Sequence, residues 1–124
     1  MNDCWLLPGY AQSCYRIPAL NFLKYGVKTH TPSNTPMRGP AAVNGHAMIE
    51  NIIEHAAAEL QMDPVELRLI NQLSVGDTII PQPLIPPPVV LEAQNPIPNY
   101  VAELKQTSDY DARVAQLEEF NKVI

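Results

Sequence analysis

Through the middle of the chain, apolar residues recur at steps of three and four. Ile49, Ile52, Ile53, Ala56, Ala57 and Leu60 follow this spacing, while Glu50, Asn51, Glu54 and Glu59 occupy other faces, so the pattern predicts an amphipathic helix from about Asn44 to Gln61. A second helix is announced by Asp63-Pro64-Val65-Glu66. Asp63 can cap it, Pro64 suits the first helical position, and Glu66 can bond back to the capping residue's amide, with Met62 and Leu67 as a hydrophobic staple. This helix is expected to end near Leu73, ahead of Gly76. A last helix is expected from Ser108 or Asp109 to about Lys122. It puts Tyr110, Val114, Leu117 and Asn121 on one stripe, with Arg113, Phe120 and Ile124 alongside, and its acidic start at Asp109 and Asp111 suits the helix dipole.

Before the first helix the pattern is one of turns and extended segments. Pro8-Gly9 marks a turn, Tyr25 to Thr31 is a β-type run broken by Gly26, and Pro32, Pro36 and Pro40 push Thr31, Thr35 and Gly39 toward extended geometry. After the second helix, Pro81-Gln82-Pro83-Leu84-Ile85-Pro86-Pro87-Pro88 reads as a polyproline-like connector, because proline supplies no amide and fixes the backbone torsion. The fold class expected is α+β, organised as residues 1–76, a Pro-rich connector over 77–99 and a helical segment over 100–124 that belongs with the first part.

Composition narrows the partners. The 124 residues are 46% hydrophobic and 17% charged, which suits a chain with a core. A net charge of −5 with scattered basic residues opposes binding to nucleic acid or an anionic membrane. Cys4 and Cys14 are too few for a disulfide framework and lack Cys-x-x-Cys spacing, so free thiols in the cytoplasm are expected. The first ten residues lack the pattern of a signal peptide, and no apolar run reaches transmembrane length.

The candidate chemistry is sparse. His46, Glu50 and Glu54 stand four apart and could line up toward a metal, but a polar stripe at helical spacing ordinarily faces solvent, and no metal site is expected. Cys4 or Cys14 with a histidine lacks any local nucleophile signature, and no catalytic residue is assigned. Pro83-x-x-Pro86 could lie in an aromatic groove, which keeps open a noncatalytic truncated product or a Pro-rich interaction module. The most unusual stretch is Thr31-Pro32-Ser33-Asn34-Thr35-Pro36-Met37-Arg38-Gly39-Pro40, where hydroxyls, a cation and a glycine backbone precede the long helix. That combination can receive anionic or oxo groups.

Three motifs in order resemble the molybdenum hydroxylases, the family of xanthine dehydrogenase and aldehyde oxidase. They are Cys14-Tyr15-Arg16-Ile17-Pro18, the loop Pro32-Ser33-Asn34-Thr35-Pro36-Met37-Arg38-Gly39, and Met62-Asp63-Pro64-Val65-Glu66-Leu67-Arg68-Leu69-Ile70-Asn71. Thr29-His30-Thr31 and Ala47-Met48-Ile49-Glu50 look most like insect-type aldehyde oxidase. The resemblance implies part of a molybdopterin-binding domain in which Arg38 and Gly39 seat the molybdenum cofactor and Pro40 borders the substrate. It also implies a parent oxidoreductase, homodimeric and carrying FAD and 2Fe-2S clusters on other segments, that hydroxylates aldehydes or N-heterocycles. The family's catalytic glutamate has no counterpart here, so the isolated stretch is expected to be inactive, with the remainder of the parent as its partner.

Overall fold

The computed structural model describes residues 10–32, 38–39, 41–79 and 89–122, which form four helices and one small antiparallel sheet. The chain divides into two units, Met1–Gln94 and Asn95–Ile124. The expected α+β class is observed.

In the first unit, α1 spans Ala42–Leu60 and buries Gly45, Ile49, Ile53 and Ala57. These residues are four apart, so one narrow stripe of the helix faces inward, while Ile52 and Leu60, counted in the expected apolar face, are exposed. The start of α1 is set by backbone geometry instead of a polar cap: Gly39 and the buried Ala41 have φ of 79° and 63°, and the Ala42 amide donates to the Gly39 carbonyl at 3.1 Å. At the other end Gln61 is left-handed and donates to the carbonyls of Ala57 and Ala58.

Helix α2 spans Pro64–Ile70. Asp63 Oδ1 accepts from the Val65 amide at 2.6 Å and Pro64 opens the first turn, as expected from the sequence. The helix stops three residues short of the expected Leu73. Residues 71–73 instead meet the N-terminal segment: Arg16 donates its amide to Asn71 O at 2.7 Å, Leu73 donates to Cys14 O at 3.1 Å, and Tyr15 and Gln72 form an isolated antiparallel bridge. Cross-strand bonds outbid another helical turn there.

Strands β1 (Thr78–Ile79) and β2 (Val89–Val90) pair antiparallel, with Thr78 opposite Val90 and Ile79 opposite Val89. A turn at Ser74 to Asp77 precedes them. Ser74 donates its amide to Asp77 Oδ2 at 2.7 Å, and Gly76 adopts φ of 91° there. The strands occupy part of the stretch expected to be a connector; the proline tract between them lies outside the described residues. The β-type run from Tyr25 to Thr31 forms no described strand, because no described segment offers it a ladder.

The second unit holds two helices where one was expected, α3 (Ile97–Thr107) and α4 (Tyr110–Asn121). Asn95 Oδ1 accepts from the Ile97 amide at 3.1 Å, while Pro96 and Pro98 stand in the opening turn, where proline is tolerated. Those prolines start α3; they do not break it. Asp109, at φ of 52°, separates the helices, and Lys105 pairs with Asp111 at 3.0 Å and sits 5.2 Å from the Tyr110 ring centre. Val101 and Val114 are half-buried, but Tyr100, Leu104, Leu117 and Phe120 are exposed. The α4 stripe is therefore formed but only partly covered.

Candidate functional site

Residues 10–15 lie along the first turns of α1 and set its position. Gly45 permits the closest approach: a methyl group there would meet Tyr10 Cβ at 2.9 Å and the Tyr10 carbonyl carbon at 3.0 Å. One residue on, His46 Nδ1 lies 3.0 Å from Ser13 Oγ, and its ring meets Tyr10 edge-on with centroids 6.5 Å apart. Ser13 itself has φ of 53°, at the end of a turn closed by its amide donating to Tyr10 O. A turn, a helix glycine and an imidazole thus lock together just inside the helix start.

One turn further along α1, the clasp becomes ionic. Tyr15, buried to 3% exposure, donates its hydroxyl to Glu50 Oε1 at 2.6 Å. Arg68, from α2, donates Nε to Glu50 Oε2 at 2.8 Å, one terminal nitrogen to Glu54 Oε1 at 2.6 Å and the other to Pro64 O at 3.1 Å. Burial, then the hydrogen bond to Glu50, pushes the Tyr15 phenol well above its usual range. For Arg68, burial works against the charge, but the bonds to Glu54 and Glu50 more than offset it, so the guanidinium is held still more firmly charged. Beneath this network Tyr15, Ile49 and Ile53 form the core, with Cys14, Ile17 and Leu67 packed against it.

This arrangement assigns the acidic stripe of α1. Glu50 and Glu54 pair with Arg68 while staying partly in solvent, as expected of a polar stripe, and the exposed His46 lies against Ser13. The sequence placed the two carboxylates on one side of α1 but gave no sign that Arg68, fourteen residues beyond Glu54, would bridge them. Among the described residues no group of three or more His, Cys, Asp or Glu could hold a metal ion. Cys14 is a free, half-buried thiol, with Gln72 Nε2 at 3.7 Å and Ser13 Oγ at 3.9 Å from its sulfur.

Two of the three quoted motifs are brought together: the segment around Tyr15 bonds to the segment around Asn71, with α1 behind both. The third ends at the start of α1. Arg38 and Gly39 are exposed, Arg38 makes no hydrogen bond or ion pair with the described residues, and a methyl group added at Gly39 would meet no described atom within 4 Å. No acidic residue occupies the first turn of α1. A guanidinium with no partner among the described residues, a left-handed glycine and a helix start with no acidic residue in its first turn form a donor set of the kind that suits an anionic, oxygen-rich group. Ser33 to Met37 and Pro40 lie outside the described residues.

Comparison with known proteins adds three findings. Residues 5–72 match the molybdopterin cofactor-binding domain model. Over 112 residues, 90% of the chain, it is 31% identical to a nicotinate hydroxylase of Emericella nidulans and 31% identical to a xanthine dehydrogenase of Blastobotrys adeninivorans. Over 53 residues, 43% of the chain, it is 43% identical to aldehyde oxidase 4 of Arabidopsis thaliana, of which it covers 4%. The chain spans about 8% of the length of the first two relatives. No solved structure matches it. Among the described residues, no helix is long and apolar enough to cross a membrane.

Proposed function

The chain belongs to the molybdopterin cofactor-binding domain family, and from that premise we propose that it forms one wall of a molybdenum-pterin site in a larger oxidoreductase. The observation that carries the reading is the exposed Arg38-Gly39 pair at the entry to α1, inside the family match and open to a ligand. Arg38 and Gly39 hold the cofactor there, Gly39 by letting the group approach its main chain, and Pro40 borders the substrate. When bound, such a cofactor supplies the redox chemistry of hydroxylation. The chain's own part is to seat and orient it. Residues 10–16 and α2 brace α1 from behind, so that the loop stands on a fixed support.

The substrates of this reading are aldehydes or N-heterocycles. The relatives' names point that way, as a nicotinate hydroxylase, xanthine dehydrogenases and aldehyde oxidases. The remainder of the polypeptide supplies the catalytic base, the FAD and the 2Fe-2S clusters, in a homodimeric cytoplasmic enzyme, and the 124 residues alone are inactive. A single loop cannot furnish base, metal environment and electron relay together.

The test uses a complete enzyme carrying this stretch. Arg38→Ala is expected to lower molybdenum and pterin content, measured by metal analysis, at least about tenfold, the loss of one charge-assisted contact. Unchanged cofactor content and turnover would remove the role given to Arg38. Stoichiometric molybdenum with aldehyde turnover in the isolated chain would contradict the reading of a partial wall.

A further inference from the structure

The turn between α3 and α4 presents a serine hydroxyl. Ser108 is exposed and closes the C-terminal end of α3, its amide donating to Leu104 O at 3.0 Å and its Oγ donating to the same oxygen at 2.6 Å. The next residue, Asp109, is left-handed, and its side chain caps no amide of α4. Asp111 pairs with Lys105 across the turn at 3.0 Å, but its side chain is 81% exposed, and an ion pair so placed is weak enough for a competing cation to displace.

Sequence context and local stability coincide at this serine. Ser108 alone among the serines and threonines of the chain is followed by carboxylates at both the first and the third position, Asp109 and Asp111. Ser74 has one, Asp77, and that carboxylate accepts from the Ser74 amide at 2.7 Å. Thr107 has neither, and its hydroxyl donates to Glu103 O at 2.9 Å. Neither α3 nor α4 contains a buried residue among the described residues, and α4 starts without a side-chain cap. Few contacts therefore oppose unwinding of the turn into the extended form that a peptide-binding cleft requires.

We propose that Ser108 is a phosphorylation site, read by a protein kinase whose cleft is basic opposite the first and third residues after the serine, and that the phosphate unlatches the α3–α4 turn. In the transfer, Ser108 Oγ bonds to the γ-phosphorus of ATP, the bond from that phosphorus to the bridging oxygen breaks to release ADP, and the hydroxyl proton passes to the kinase's carboxylate base. The cleft's cations hold Asp109 and Asp111 by charge-assisted contacts. Once esterified, Ser108 Oγ has no hydrogen to donate to Leu104 O. The phosphate then stands at the negative end of α3 beside Asp109, where like charge repels it. Lys105, three residues earlier, is its neighbour on the helix surface, so the phosphate draws Lys105 away from Asp111 and breaks the ion pair that spans the turn. The inference does not depend on the cofactor reading.

The experiment incubates the full 124-residue chain with Mg-ATP and an acid-directed serine/threonine kinase, with a basic-directed kinase in a parallel arm, and locates the modified residue by fragment mass spectrometry. The acid-directed enzyme is expected to place a phosphate on Ser108 at least about tenfold faster than in the Asp109→Asn/Asp111→Asn variant, which loses the charge-assisted contacts. Asparagine tolerates the left-handed geometry of position 109, so that variant keeps the turn. Hydrogen exchange read by NMR then follows the amides of Ser108 and Asp109, which donate to Leu104 O and Gln106 O. Phosphorylation is expected to speed their exchange about tenfold or more and to leave the amides of α1 unchanged. No phosphate on Ser108, modification of Ser108 by the basic-directed kinase alone, or an undiminished rate in the double variant would overturn the site. Unchanged exchange at Ser108 and Asp109 in the phosphorylated chain would overturn the unlatching.

Discussion

The Tyr15 hydroxyl and the Glu50 carboxylate meet at 2.6 Å across thirty-five residues of sequence, and Arg68 holds the opposite oxygen of the same carboxylate. Glu50 is thus the shared acceptor that ties the N-terminal segment to α1 and α2. Tyr15→Phe keeps the ring in the core and removes one hydrogen bond to a charged acceptor, which is worth about 1.5–3 kcal/mol. Urea unfolding is expected to show a loss toward the lower end of that range, because Glu50 retains Arg68 and some contact with water.

The same contact has a pH signature. The folded chain holds the Tyr15 proton more tightly than the unfolded chain, where the phenol titrates near pH ~10. The contribution is therefore complete below about pH 10 and is lost as the pH rises above it. Tyr15→Phe removes this part of the alkaline loss. Urea midpoints across that window check it: the wild-type and Tyr15→Phe curves should converge as pH increases, and parallel curves would refute the assignment.

Arg68 reaches two carboxylates through separate nitrogens, a fork that lysine cannot reproduce. Arg68→Met leaves Glu50 and Glu54 repelling each other at the α1–α2 junction. With the three side chains 23%, 39% and 55% exposed, solvent screening limits the loss to on the order of 1–2 kcal/mol. Arg68→Lys is expected to lose a substantial part of that, since one ammonium cannot span both partners. Thermal unfolding at low and high salt checks the order, and the difference between wild type and Arg68→Met should shrink as salt rises.

How far the fold was legible follows from where its information lies. Helix α1 and the Asp63-Pro64 start of α2 were readable because periodicity and capping are local, and the structure shows both. Helix α3 was missed because its opening residues, Asn95-Pro96-Ile97-Pro98, look like the end of a proline connector; the Asn95 side chain capping Ile97 was the available signal. The end of α2 at Ile70, not Leu73, depends on the distant segment at Cys14 to Arg16, which no window around α2 contains. The candidate site divides the same way. Arg38 and Gly39 stood out by residue type, whereas the Tyr15–Glu50–Arg68–Glu54 network joins four positions that only the tertiary fold brings together.

Gly45 tests the fit of residues 10–13 against α1. An alanine in a helix interior ordinarily gains up to about 1 kcal/mol over glycine. At this position its methyl would stand 2.9 Å from Tyr10 Cβ and 3.0 Å from the Tyr10 carbonyl carbon, where backbone must give way. Overpacking of that kind costs about 1–3 kcal/mol. The expected net result of Gly45→Ala is a lower melting temperature, with loss of the His46–Ser13 contact in NMR spectra. A raised melting temperature with that contact intact would show that the turn does not press on the helix.

Asp63 combines two effects that a pair of variants separates. Its Oδ1 accepts from the Val65 amide at 2.6 Å, and its charge lies at the positive end of α2. Asp63→Asn preserves an acceptor of the same shape, so it removes the charge alone, worth about 0.3–1 kcal/mol at low ionic strength. Asp63→Ala removes both and is expected to cost about 1–2 kcal/mol. The loss is felt beyond the cap because α2 is only seven residues long and carries Arg68. A frayed first turn also frees Pro64 O from the guanidinium it accepts. Chemical unfolding should therefore rank wild type above Asp63→Asn and Asp63→Asn above Asp63→Ala, and in the Arg68→Met background the Asp63→Ala step should be smaller. An undiminished step there would show that the cap and the ion-pair network act independently.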